Sequence, residues 1–263
     1  HTLLYVVIGY VYFWFAGALV QQNIIKFSDV AIHLGESYTS GLLAIVAIGI
    51  GVGALSAGFM SRGKVEGGII PVGAAGMALF AILIALPMEW CPQALFRPLA
   101  HLRFGADASP VQVYYIASLV YIFGLGFFAG VFDVPLASTL QRRAPIAIRG
   151  GLIASTNMMT FVGIAILSGF FLGLGYLGLS PSGTFLLIGL LSLALGVIIT
   201  FKLPILLLRA VLWIADMTFV RVRVTGRNNM PEDGGALIVC NHISFLDTLA
   251  IQYAIDRDIH FVV

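Results

Sequence analysis

The sequence predicts an all-α polytopic membrane bundle of six transmembrane helices, followed by the truncated start of an α/β domain. Three observations carry that expectation. Of 263 residues, 60% are hydrophobic and 10% charged, whereas a soluble domain carries about 25% charged residues; the mean hydropathy is +1.02. Apolar stretches recur along residues 1–203, each close to the roughly 20 residues that a bilayer core demands of a helix. Beyond Pro204 the pattern changes to short alternating and wholly apolar runs separated by turn residues. The expected organisation is a bundle over 1–203, an interfacial linker helix over 204–218, and the N-terminal part of an α/β domain over 219–263.

The six expected spans are 2–22, 41–60, 68–87, 111–138, 150–178 and 183–201. The net charge of +2 says little, because the placement of Lys and Arg sets orientation. With residue 1 cytoplasmic, Arg62, Lys64, Arg142, Arg143, Arg149, Lys202 and Arg209 fall inside, and Lys26, Arg97 and Arg103 outside. Seven against three places both ends of the bundle in the cytoplasm. The spans carry glycine stripes: Gly49, Gly51 and Gly53; Gly126 and Gly130; Gly169 and Gly173. Such faces let helix backbones approach closely in lipid, where no hydrophobic force drives helices together. The same faces would also let helices slide during a transport cycle, and the sequence leaves both readings open.

Polar residues within the spans are few. Gln21, Gln22 and Asn23 end the first span, Asn157 lies in the fifth, and Asp133 lies in the fourth. Asp133 is nine positions before Arg142, about 13 Å along a helix. A carboxylate at that depth is costly and marks a candidate functional site; a structural Asp beside Pro135 is the alternative. Asp133, Gln21, Gln22 and Asn157 are the candidate transport-cavity residues. Tyr10, Tyr12 and Trp14 either join them or face lipid and neighbouring helices.

The tail opens with ILLLRAVLWIADMTFV (205–220), in which Arg209 and Asp216 share a helix face and Trp213 sits at headgroup level. VRVRVT (220–225) alternates as a half-buried strand, GRNNMPEDGG (226–235) is a turn-rich loop, and ALIVC (236–240) reads as a central strand. Asn241 and His242 follow, and Ser244 opens a helix running to about Ala254. Strand, tight turn and helix is how α/β folds present reactive groups. Ser244 and Asp247 also fit a helix-capping pair, so a purely structural role for Asp247 stands beside a catalytic one, as does a turn role for His242. The pair His242-x-x-x-x-Asp247 suits acyl transfer: an imidazole titrating near neutrality takes a hydroxyl proton and returns it to a leaving thiol. A carboxylate on the far ring nitrogen fixes its tautomer. Five positions do not align two side chains on one regular helix. The pair meets only if His242 lies on the turn and Asp247 in the first helical turn, with Asn241 and Ser244 orienting them.

Two resemblances extend these readings. Six spans with both ends inside resemble the second half of a major facilitator superfamily transporter, and GFMSRGKVEGG (58–68) sits where that superfamily repeats its G-x-x-x-D-R-x-G-R-[RK] loop. Ser61 occupies the Asp place. FWFAGALVQQNI (13–24), GKVEGGIIPVGAAGM (63–77) and VPLASTLQRRAPIAIRGGLIASTN (134–157) resemble the lysophospholipid transporter branch, in which an apolar residue is expected at the place of Asp133. The string VCNHISFLD, with VRVTGRNNMPEDGGALIV before it, resembles the first motif of the glycerolipid acyltransferase family. That family's later Gly-x-x-Phe, Phe-Pro-Glu-Gly and Pro-rich blocks are not present in the sequence.

Together the resemblances imply a transporter fused to an acyltransferase, with this chain an internal piece that is inactive alone. They imply uptake of lysophospholipid across a bacterial inner membrane and its reacylation on the cytoplasmic side. The acyl thioester, from acyl-carrier protein or acyl-CoA, is a co-substrate, and no cofactor, metal or nucleic acid is implied. A third, acyl–carrier-protein-ligating domain often follows in such fusions. Two other organisations fit the residues: a transporter of another solute with a non-catalytic tail, and a membrane-anchored acyltransferase without transport. Cys91 and Cys240 lie far apart, so neither a disulfide framework nor a zinc site is read from them. The first residues lack the charged start and cleavage pattern of a signal peptide.

Overall fold

Long runs of Leu, Ile, Val, Ala and Phe have no water-exposed alternative to the helix in an apolar medium, because each backbone amide must be satisfied within its own segment. The computed structural model follows that rule; it describes residues 2–33, 35–61, 67–202, 208, 211–212, 224–226, 229–231, 234–241, 245–255 and 259. Helices occupy all six expected positions: α1 (Thr2–Phe27), α2 (Glu36–Met60), α3 (Ile69–Ala85), α5 (Pro110–Arg143), α6 (Arg149–Tyr176) and α7 (Pro181–Lys202). Five are long and apolar enough to cross a membrane. The sixth, α3, has 17 residues, the lower limit for a span.

The expected boundaries err mostly by being short. α1 continues past residue 22 to Phe27 and then widens into a π-helical turn, Ser28–Ile32. α5 runs 34 residues to Arg143 through Asp133 and Pro135. The α5 extension, TLQRR (139–143), is polar, and a helix continues through polar sequence once its ladder is formed; the α1 extension instead buries Ile24 and Phe27. α5 starts sharply at a capping box with Pro110 in its first turn. Gln112 N donates to Ser109 Oγ, and Ser109 N donates to Gln112 Oε1 at 2.8 Å. An additional helix, α4 (Gln93–Phe104), lies in the loop expected at 88–110. It buries Phe96 and Ala100 and sets Phe96 edge-on to Tyr121 at 5.5 Å, while Leu95, Leu99 and Leu102 stay exposed.

Neighbour pairs fix the helix directions. α2 and α5 run parallel, because Gly49 faces Phe123 while Gly53 faces Phe127. α3 runs against α5, with Gly73 on Phe132 and Gly76 on Phe128. α1 runs against α7: Tyr12 meets Ser192 at 2.6 Å and Asn23 Nδ2 donates to Pro181 O at 2.8 Å. Gln22 Nε2 donates to Ser168 Oγ at 2.9 Å on the parallel α6. Met60, Arg143 and Lys202 therefore share one end, the linker end; Phe27, Ala85 and Tyr176 share the far end. Leu212 of the linker packs against the cluster of Ala57, Ile69 and Val131 toward the linker end.

Two of the three glycine stripes are close-approach surfaces. A Cβ at Gly49 would lie 2.5 Å from Phe123 O, and one at Gly126 the same distance from Val46 O. Gly169 and Gly173 meet nothing within 4 Å, so the stripe on α6 joins no interface among the described residues. The outward face of α6 is instead broadly apolar, with Phe161, Ile166 and Tyr176 exposed.

The tail departs from expectation. Residues 236–240 form no strand, and Leu237 and Val239 are 89% and 85% exposed. A strand exists only through ladder bonds to a neighbour, and none is present among the described residues. Of VRVRVT, residues 220–223 lie outside the described residues, and 224–225 are not strand. Arg209, Trp213 and Asp216 of the expected interfacial helix also lie outside them, although 208 and 211–212 are helical. The loop at 226–235 does turn: Gly226 has φ 73°, Gly234 has φ 81°, and Asn229 N donates to Gly226 O at 2.9 Å. The final helix, α8, spans Phe245–Ala254.

Candidate functional site

The acyl-transfer candidate is built at the start of α8. Asn241 ends the irregular segment 235–241 and is exposed. His242 and Ser244 lie outside the described residues. Asp247 is half-buried in the first turn of α8, where a carboxylate is favoured by the helix dipole. Among the described residues α8 begins at Phe245, and Asp247 falls in its first turn. Behind the site, Gln252 is buried and its Oε1 accepts from Ile259 N at 3.3 Å, tying the following chain back to α8.

The transport candidates separate. A cavity of about 450 Å³ lies between α1, α2 and α5, with Met77 of α3 and Ile164 of α6 also lining it. Gln21 and Trp14 line it, together with Phe13, Leu43, Ile50, Met77 and Leu125. Gln21 is the one amide in an otherwise apolar wall. Asp133 lies one turn beyond the lining residue Ala129, on the same stripe of α5. Its Oδ1 is enclosed with no hydrogen-bond partner among the described residues.

Gln22 is engaged by Ser168 and does not line the cavity. Asn157 is exposed on α6, also away from the cavity. The four candidates therefore do not converge on one point. Of the three aromatics, Trp14 lines the cavity, Tyr12 is committed to Ser192, and Tyr10 packs edge-on to Trp14 at 6.4 Å.

Sequence reasoning missed a second cavity, of about 640 Å³, at the far end, lined by Lys26, Asp29, His33 and Glu36. These charges fall just outside the expected first span, where they read only as loop. The available signal was their density: KFSDVAIHLGE (26–36) carries two carboxylates, a lysine and a histidine in a chain that is 10% charged.

The described helices form a membrane-type bundle, and the Asn241–Asp247 run lies beyond its last helix. A family model described as Acyltransferase matches residues 221–263. The matched stretch contains the whole Asn241–Asp247 run and supports acyl transfer as the chemistry of the C-terminal region. Among curated proteins and among solved structures, none matches the chain.

Proposed function

We propose that this chain is the junction of a bifunctional protein that moves lysophospholipid across a bacterial cytoplasmic membrane and reacylates it. The observation that carries the reading is the acyltransferase match over 221–263, set directly behind a bundle of apolar helices. An acyl acceptor that is itself a membrane lipid accounts for both parts at once. In the acyl-transfer step His242 takes the proton of the glycerol hydroxyl as the oxygen attacks the thioester carbonyl. The tetrahedral intermediate then collapses, and His242 returns the proton to the departing thiol. Asp247 holds the imidazole in one tautomer and stabilises the imidazolium, with Asn241 and Ser244 orienting the pair. The acyl donor is a thioester of acyl-carrier protein or coenzyme A. In the bundle, Asp133 and Gln21 supply the polar groups of the transport path.

Two variants of the intact protein separate the parts. His242→Ala should lower acyl transfer by about 10²–10⁴, the usual worth of a general base, and leave lysophospholipid uptake into vesicles unchanged. Asp133→Asn should slow uptake and leave acylation in detergent unchanged. Normal acylation by His242→Ala sinks the catalytic assignment. Normal uptake by a well-expressed Asp133→Asn returns Asp133 to a structural role.

A further inference from the structure

The helix α4 (Gln93–Phe104) has three distinct faces, and the bundle covers one of them. Phe96 and Ala100 are buried. The Phe96 ring stands edge-on to Tyr121 at 5.5 Å. The Phe104 ring stands edge-on to Tyr115 at 6.4 Å and stacks on Tyr38 at 6.1 Å. α4 therefore runs against α5, alongside residues 115–121. That stretch belongs to a segment long and apolar enough to cross a membrane, Pro110–Arg142. It is also level with the end of α3, because the Tyr114 hydroxyl donates to Leu86 O at 3.2 Å. α4 thus lies beside the outermost turns of a span, at the far end of the bundle.

The second face is an apolar stripe. Leu95, Leu99 and Leu102 share one side of the helix and are exposed, Leu102 by 86%. Trp90, just before the helix, is exposed as well. The third face holds Ala94, Arg97 and His101, centred about 130° around the helix from the leucines at 100° per residue. Ala94 and Arg97 are exposed there. α4 has no acidic residue, and Arg97 and Arg103 are its two permanent cations. Among the described residues no carboxylate lies within 4.0 Å of either guanidinium. Pro98 also removes the amide that Ala94 O would accept from within the helix.

Position and chemistry together select the occupant. At the level where α3 ends, the side of a span meets headgroups and the first carbons of the acyl chains. Leucines on one side, cations on another and a tryptophan at the helix entry are the features of a helix seated at that boundary. A phospholipid leaflet gives the leucines acyl chains and gives the guanidiniums phosphate oxygens. Interfacial water gives the Ala94 carbonyl a donor. We propose that α4 is a docking surface for the phospholipid leaflet at the far end of the bundle. Leu95, Leu99 and Leu102 enter the acyl chains, Arg97 and Arg103 reach headgroup phosphates on their long stems, and the Ala94 side faces water. The proposal is independent of what the bundle carries and of the acyl-transfer chemistry.

The test places single cysteines at Leu95, Leu99, Leu102 and Ala94 of the intact protein, with its exposed cysteines, Cys240 among them, replaced by serine. Each carries a nitroxide spin label, and the protein is reconstituted in vesicles of phosphatidylethanolamine and phosphatidylglycerol. The parent that retains only the buried Cys91 gives the background signal. Power saturation reads collisions with oxygen, which concentrates in acyl chains, and with a water-soluble nickel chelate. The three leucine sites should favour oxygen over nickel severalfold, and Ala94 should show the reverse. Low collision rates with both at the leucine sites would mean that protein, a second copy or another part of the chain, covers the stripe. High nickel collision there would mean that the stripe stands in water. Either result overturns the proposal.

A second arm tests the arginines. Arg97→Glu with Arg103→Glu should raise nickel collision at the Leu99 label, as repulsion from the phosphates lifts the helix. Arg97→Lys with Arg103→Lys should leave it where it was. An unchanged label in the glutamate pair, or an equal rise in the lysine pair, overturns the assignment of the guanidiniums to phosphate.

Discussion

The Tyr12 hydroxyl lies 2.6 Å from Ser192 Oγ, joining α1 to α7 inside the bundle. Ser192 Oγ also reaches Ile188 O at 2.8 Å in its own helix, and the Tyr12 hydroxyl reaches the same carbonyl at 3.3 Å, so either hydroxyl can donate to the other. Interhelical bonds of this kind contribute about 0.6 kcal/mol on average in lipid. A double-mutant cycle of Tyr12→Phe and Ser192→Ala, read by thermal melting in detergent, should give a coupling of that order. Additive losses would show that the two hydroxyls are neighbours without being partners.

Glycine substitutions should separate interface from surface. A Cβ at Gly53 would drive into the Phe127 carbonyl, a backbone group with little room to yield. Gly53→Ala should therefore cost about 1–3 kcal/mol, as overpacking does, despite the better helix propensity of Ala. Gly169→Ala and Gly173→Ala meet nothing within 4 Å and should leave the melting temperature unchanged or slightly raised. A marked loss at either would mean that the α6 stripe is covered in the membrane.

The two cysteines should label unequally. Cys91 is buried, 7% exposed, and burial pushes its thiol pKa up; Cys240 is exposed. At neutral pH less of Cys91 is thiolate, the reactive form. A maleimide added to the protein in detergent should modify Cys240 first, with Cys91 reacting only as pH rises or the protein unfolds. Equal rates at pH 7 would contradict the packing around Cys91.

Asp247 can be tested for its two roles by two substitutions. In the catalytic role, Asp247→Asn lowers acyl transfer strongly with little change in melting. In the capping role Asp247→Asn keeps both the capping acceptor and normal turnover, whereas Asp247→Ala costs on the order of 1 kcal/mol while turnover per folded molecule stays near normal. Measuring both quantities decides which role dominates, and a destabilised but fully active variant would leave His242 without its carboxylate.

The order and position of the membrane helices were legible in the sequence, because helix formation in an apolar medium depends on local composition and length. The start of α5, expected at 111 and found at Pro110, was legible as well, and Ser109, Pro110 and Gln112 form its local signal. The helix at α8 and the placing of Asp247 in its first turn were legible for the same local reason. What a segment packs against was not. The stripes at Gly49 and Gly169 look alike in sequence, yet one meets Phe123 O and the other nothing. Only the crossing of α2 and α5 decides that.

The run at 236–240 has strand composition but no strand, since a ladder is a property of two segments. The polar groups show the same division. Gln21 and Gln22 are adjacent in sequence, and the 100° between them sends one to the cavity and the other to Ser168. By itself the sequence determined a membrane-type bundle with an acyl-transfer motif behind it. Tertiary structure alone decided that Lys26, Asp29 and Glu36 line one cavity, because that depends on how α1 and α2 stand beside each other in space.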